Sequence, residues 1–87
     1  MKYKVDFTPQ ALADISKLDR TAITRITKKI EWLSESLDVV SHQALKGKFD
    51  GMFKLVIGDW RAIYTADFSN KTITVHLIGH RKEIYKV

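Results

Sequence analysis

His80, Arg81, Lys82, Tyr85 and Lys86 crowd the final stretch LIGHRKEIYKV, directly behind an apolar run. Upstream, Lys46, Lys48, Lys54 and Arg61 are interleaved with Phe49, Phe53, Trp60 and Tyr64. Cations bind phosphates and aromatic rings stack on unpaired bases, so this mixture is what a single-stranded RNA surface requires. Individual members have plainer readings. Trp60 and Tyr64 suit a core, Lys82 and Lys86 suit a solvated surface, and charge near a sheet edge deters edge-to-edge pairing. Arg61, just after a tight turn, and Arg81, just past a strand end, are harder to assign to structure alone.

Other chemistries find less support. The absence of cysteine removes disulfides, thiolate zinc sites and cysteine nucleophiles together, and fits a reducing compartment, so the cytoplasm is the expected location. His76 and His80 have the HxxxH spacing, but on a strand that separation spans about 13 Å, too far to share an ion. No metal and no cofactor is expected. GKFDG and IGDW read as turns rather than phosphate-cradling loops, and no Ser–His–Asp order or inward carboxylate pair can be placed.

With 87 residues the chain makes one domain, residues 1–87, with a single thin core. A deep walled cavity does not fit that size, so a site should lie on an open face and its substrate should be large. Net charge is +5 with a pI near 9.6. Residues 1–42 carry seven bases and six acids and residues 43–87 eight bases and four acids, so the second half holds the field that would draw a polyanion. The opening MKYKVDFTPQ lacks the apolar centre of a signal peptide, and no apolar run approaches the ~20 residues that span a bilayer, so no membrane is expected.

These residues must be held by few elements. YKVDF alternates Tyr3, Val5 and Phe7 with polar residues, the period of a half-buried strand. Thr8 can cap a helix with Pro9 in its first position, running roughly to Leu18. Asp19 caps a second, marked by Ile23, Ile26, Ile30, Leu33 and Leu37 at threes and fours. Beyond residue 43, MFKLVI, WRAIYTAD and KTITVHLIG read as three antiparallel strands, with Phe53, Leu55 and Ile57 sharing one face and Ile73, Val75 and Leu77 sharing another. The fold class is α+β: a strand, an antiparallel helix hairpin, then a three-stranded meander with both helices on one sheet face. Lys54 and Val56 point away from the core. The face of Arg61 depends on a register that the pattern leaves open.

In LKGKFDGMFKLVIGDWRAIYTAD and LIGHRKEIYKV, together with the opening VDFTPQALADISKLD, the chain resembles the RelE/ParE superfamily of toxins from toxin–antitoxin pairs, and within it the RelE-like branch. The resemblance covers essentially the whole chain. It implies an enzyme that enters the ribosomal decoding site and cuts the message there without metal, the 2′-hydroxyl attacking the neighbouring phosphate. It further implies a cognate antitoxin, RelB-like or another small acidic or amphipathic protein, ribosomal RNA and mRNA as partners, and operator DNA bound through the antitoxin. Matched to the family's motif, Lys54 is the general base, Arg61 stabilises the phosphate, Arg81 supports the leaving oxygen and Tyr85 orients the 2′-hydroxyl. Like charges nearby disfavour an ammonium and so suit a lysine to the base's part. Lys46, Lys48, Lys82 and Lys86 fall to RNA and ribosome binding.

Some active relatives carry a second basic residue two positions on from the first, where this chain has Val56. That leaves the split between base and acid open, with His80 as a candidate proton shuttle or a plain surface histidine. Two rivals share the fold: a ParE-like protein that poisons DNA gyrase by binding, and an inactive module that binds RNA or antitoxin.

Overall fold

Thr8 Oγ1 accepts the Ala11 N–H at 3.1 Å with Pro9 in the first helical position, and Asp19 Oδ1 accepts the Ala22 N–H at 2.8 Å. Each satisfies a donor that a helix start leaves unpaired. The computed structural model describes residues 2–86 and has α1 over Pro9–Ser16 and α2 over Arg20–Ser36. α1 ends before the expected Leu18 because the Lys17 and Leu18 amides turn back to the carbonyls of Asp14 and Ile15, the i to i−3 bonds that tighten a last turn. α2 lays Ile26, Ile30 and Leu33 into the core, with Leu37 just past its end; Ile23 is only half-buried.

The helices cover one face of a five-stranded sheet ordered β1-β5-β4-β3-β2. The strands are β1 (Lys4–Phe7), β2 (Gln43–Ala44), β3 (Phe53–Ile57), β4 (Trp60–Asp67) and β5 (Thr72–His80). The expected meander is β3, β4 and β5. Two features were not expected: β1 joins β5 in parallel, and β2 adds a two-residue strand beside β3.

Pairing fixes the register. Leu55 opposes Ala62 and Ile57 opposes Trp60, so Trp60, Ala62 and Tyr64 turn toward the helices, while Arg61 and Ile63 turn outward with Lys54 and Val56. On the other side of β4, Tyr64 opposes Val75 but Ile63 opposes Leu77. The extra residue, His76, is a bulge that reverses the phase of β5. Ile78 therefore continues the core side of Ile73 and Val75, correcting the expected Ile73, Val75 and Leu77 set. By the same reversal His80 arrives on the helix side, opposite Trp60.

The outer face is not bare. Ile63 is 0% exposed and Ile84 3%, although both lie outside the main core. Ile84 belongs to a 3₁₀ turn, Ile84–Lys86, and its Cβ lies 3.5 Å from where a side chain on Gly79 would begin. The C-terminal turn thus roofs the Gly79 end of the outer face.

Candidate functional site

The hairpin joining β3 to β4 turns on two residues. Gly58 has φ +58° and Asp59 stays at negative φ, the pattern of a type II′ turn that needs glycine first. Arg61 Nη1 donates to the carbonyls of Gly58 and Trp60, both at 2.8 Å, so the guanidinium leans back over this turn with Nε and Nη2 left as further donors. Arg81 comes to the same turn from the end of β5. Its N–H donates to the Asp59 carbonyl at 2.8 Å and its Nε lies 3.5 Å from Asp59 Oδ1. Both groups of that pair are more than half exposed, so the contact orients Arg81 more than it stabilises the fold.

Lys54 sits further along the outer face. It opposes Ile63 while Arg61 opposes Val56, which makes Lys54 and Arg61 diagonal neighbours at roughly 7–8 Å. Gly79, the partner of Arg61 on β5, lies under Ile84, and the next residue, Tyr85, meets Phe49 edge-on with ring centroids 6.2 Å apart. Phe49 ends a 3₁₀ turn, Gly47–Phe49, and Lys48 Nζ lies 5.6 Å from its ring centroid. Tyr85 stays 39% exposed. Lys54, Arg61, Arg81 and Tyr85 therefore share one side of the sheet, with Lys48 over the Phe49 ring that the tyrosine meets.

His80 does not join them. Its ring stands edge-on to Trp60 at 5.6 Å on the helix side, and its Nδ1 accepts the Lys82 N–H at 3.2 Å. Lys46, Lys82 and Lys86 are exposed. His76, separated from His80 by the bulge's change of phase, lies on the outer face with Nε2 2.9 Å from Thr65 Oγ1; burial holds its pKa below the usual imidazole value. Among the described residues no three His, Cys, Asp or Glu side chains gather as metal ligands would.

Sequence reasoning passed over three cations. Arg25, Lys28 and Lys29 lie in the half of the chain whose charges nearly balance, but they share one face of α2 with Trp32. Lys29 Nζ sits 4.0 Å from the Trp32 ring centroid, and Arg25 Nη2 comes so near Gly58 that a Cβ there would stand 2.6 Å from it. The spacing of RITKKIEW, cations at i, i+3 and i+4 and a tryptophan at i+7, was the signal available.

Apart from these surfaces, a groove of about 600 Å³ runs beside the free edge of β1, lined by Tyr3, Val5, Phe7, Thr27 and Ile30.

Comparison with known proteins places this geometry. The chain is similar in fold to the toxin–antitoxin complex RelBE2 from Mycobacterium tuberculosis, with 24% identity, 93% of this chain and 100% of that one covered, and TM-score 0.82. It is also similar to a mutant of the E. coli toxin RelE in the free state, with 24% identity, 99% and 93% covered, TM-score 0.78. The archaeal RelE–RelB complex from Pyrococcus horikoshii OT3 has 20% identity, 95% and 99% covered, TM-score 0.74. Among curated protein sequences none matches. The profile described as ParE toxin of type II toxin-antitoxin system, parDE, matches residues 5–85, nearly the whole described chain. With its two helices on one face of this sheet, the chain belongs to that family of toxins of type II toxin–antitoxin systems.

Proposed function

We propose that this toxin is a ribosome-dependent endoribonuclease that cuts mRNA in the decoding site without metal. The observation that carries the reading is the convergence of Arg61 and Arg81 on the Gly58–Asp59 turn, with Lys54 and Tyr85 on the same outer side. In-line attack by a 2′-oxygen forms a bond to phosphorus and breaks the bond to the 5′-oxygen. The 2′-hydroxyl proton goes to a base and the leaving oxygen takes one from an acid. Lys54 is the base, Arg61 neutralises the charge gathering on phosphate, Arg81 serves the leaving oxygen and Tyr85 holds the 2′-hydroxyl or stacks on the base. His80, turned to the other face, is not part of this set.

Silencing falls to a cognate antitoxin of RelB-like or other small amphipathic type. The β1 edge offers unpaired backbone groups beside an apolar groove, which suits an extended segment added as a strand. On this reading the toxin acts on ribosomes in the cytoplasm. No helix among the described residues is long and apolar enough to cross a membrane.

A second reading, gyrase inhibition without catalysis, draws on the ParE description of the family and on Val56, an apolar side chain 37% exposed among the outer cations. The test is to incubate the protein with programmed ribosomes and with naked message and map new 5′ ends by primer extension. Codon-periodic cuts that need the ribosome, and fall by about 10²-fold or more in Arg81→Ala, are the expected result. Since the Arg81–Asp59 pair is exposed, the variant should fold as the wild type does. Intact message in both tubes, from a protein that is folded and arrests growth, overturns the nuclease reading and sends the assay to gyrase supercoiling.

A further inference from the structure

We propose a second nucleic-acid contact, on the α2 side of the β3–β4 turn, where Arg25, Lys28 and Lys29 grip the phosphate backbone of a folded RNA outside the cleavage site. The inference rests on the RNA reading above but concerns a surface to which that reading gives no role.

Four observations carry it. Arg25, Lys28, Lys29 and Trp32 fall at i, i+3, i+4 and i+7, one stripe of α2, and no acid is interposed on it. The nearest helix acid, Glu31, stands at i+3 from Lys28 but makes no ion pair with it and lines the β1 groove. Among the described residues no carboxylate comes within ion-pair distance of these three cations; the ion pairs there are Lys4 with Asp6 and Arg81 with Asp59. Among the described residues no carboxylate pairs with the stripe's charge.

The stripe also borders an unfinished sheet edge. β2 pairs only with Phe53 and Lys54, and the Leu45 N–H donates to the Met52 carbonyl, so even-numbered residues of this strand turn their backbone groups toward that edge. Beyond β2, Val56, Ile57 and Gly58 border a shallow groove of about 510 Å³, whose lining also includes Arg25, Lys28, Lys29 and Trp32.

Trp32 is 43% exposed with the Lys29 ammonium 4.0 Å from its ring centroid. The ring holds that ammonium at the surface instead of letting it range, which lowers the entropy lost when it meets an anion.

Finally, the stripe is continuous with the candidate site. Gly58 lacks the Cβ that would strike Arg25, so the guanidinium lies against the same turn whose carbonyl holds Arg61 and whose Asp59 holds Arg81. A basic band thus runs from α2 over the turn to the outer face. An RNA strand cleaved on that face lies within a folded RNA scaffold, and the stripe meets the scaffold's backbone. Phosphate contacts of this kind position a nucleic acid without reading its sequence.

The experiment is the triple variant Arg25→Gln, Lys28→Gln, Lys29→Gln with a fluorescent RNA hairpin, its affinity measured from about 50 to about 200 mM salt. Removing up to three phosphate contacts at roughly 0.7–0.9 each should reduce the slope of log K against log salt by about 2, and weaken binding roughly tenfold or more at the low-salt end. Thermal unfolding confirms the fold, and should the triple variant be unstable, Lys28→Gln alone, an exposed lysine, should lower the slope by about 1. A wild-type slope in the folded variant overturns the proposal, as does absence of salt-dependent binding by the wild type. Loss of antitoxin affinity with RNA binding intact also overturns it, and assigns the stripe to a protein partner. Cleavage by programmed ribosomes is scored separately: a reduced slope with no cleavage by the wild type keeps the RNA contact and removes the nuclease.

Discussion

Substituting Gly58 with alanine tests the turn on which the site depends. At φ +58° in the first central position of a type II′ turn, an L-residue is strained by the backbone itself, and such strain costs on the order of 1–3 kcal/mol. The added Cβ would also stand 2.6 Å from Arg25 Nη2. That atom ends a long flexible side chain on an exposed helix face, so it can swing aside, and its displacement should add only about 0.5 kcal/mol or less. The expected loss is therefore about 2 kcal/mol, almost all of it backbone. For a domain of this size that lowers Tm by roughly 8–16 °C. Urea denaturation of Gly58→Ala, Arg25→Ala and the double variant separates the two parts. The coupling between them should be near zero within about 0.5 kcal/mol. A neutral Gly58→Ala would refute the turn assignment. A loss that disappears in the Arg25→Ala background would show that the clash, not the backbone, sets the cost.

Burial lowers the pKa of His76, so between its folded value and the unfolded value near 6.5 the unfolded chain binds more protons and stability rises with pH. That contribution is fully present above about pH 6.5 and is lost as pH falls through this range; His76→Gln should flatten the difference in urea midpoint between pH 7 and pH 5, and an unchanged difference would exclude His76 as its source. Tyr64→Phe should cost about 1–2 kcal/mol at neutral pH: His42 Nε2 must donate to the Leu37 carbonyl at 3.1 Å, so its Nδ1 accepts the Tyr64 hydroxyl at 2.7 Å, and deletion leaves that nitrogen unpaired. Burial pushes Tyr64 up to about 12, so its contribution is complete below about pH 10 and is lost as pH rises toward 12; the variant should show a shallower alkaline decline of stability.

Much of the scaffold was legible because its signals are local. Thr8 before Pro9, Asp19 before an apolar stripe and GD between two alternating runs each act within a few residues, and each formed the element expected. What escaped reading is set by contacts across the chain. The parallel pairing of β1 with β5 joins Lys4 to Thr72, and nothing in either segment alone requires it. The bulge at His76 is also invisible to alternation, since ITVHLIG reads as well with Leu77 inward as with Ile78 inward. Only the pairing with Ile63 and Tyr64 decides, and with it the side on which His80 arrives. Arg61 and Arg81 were legible as candidates by type and place, but not their meeting, which depends on Asp59 catching the Arg81 backbone. Arg25, Lys28 and Lys29 were lost in a half-chain average that a helix sorts by angle.

The distribution of charge around the turn has its own logic. Three guanidinium groups, from α2, β4 and the segment after β5, approach a two-residue turn that offers one carboxylate, Asp59. The remaining compensation comes from the Gly58 and Trp60 carbonyls, which accept from Arg61 but carry only partial charge. Like charges gathered this way repel one another and weaken the compact state, a cost that solvent screening limits at so exposed a place. A fold selected for stability alone would intersperse acids there. A polyanion bound there would remove the repulsion and add attraction at once. An acidic segment that supplied carboxylates to this turn would compete directly with phosphate for Arg61 and Arg81.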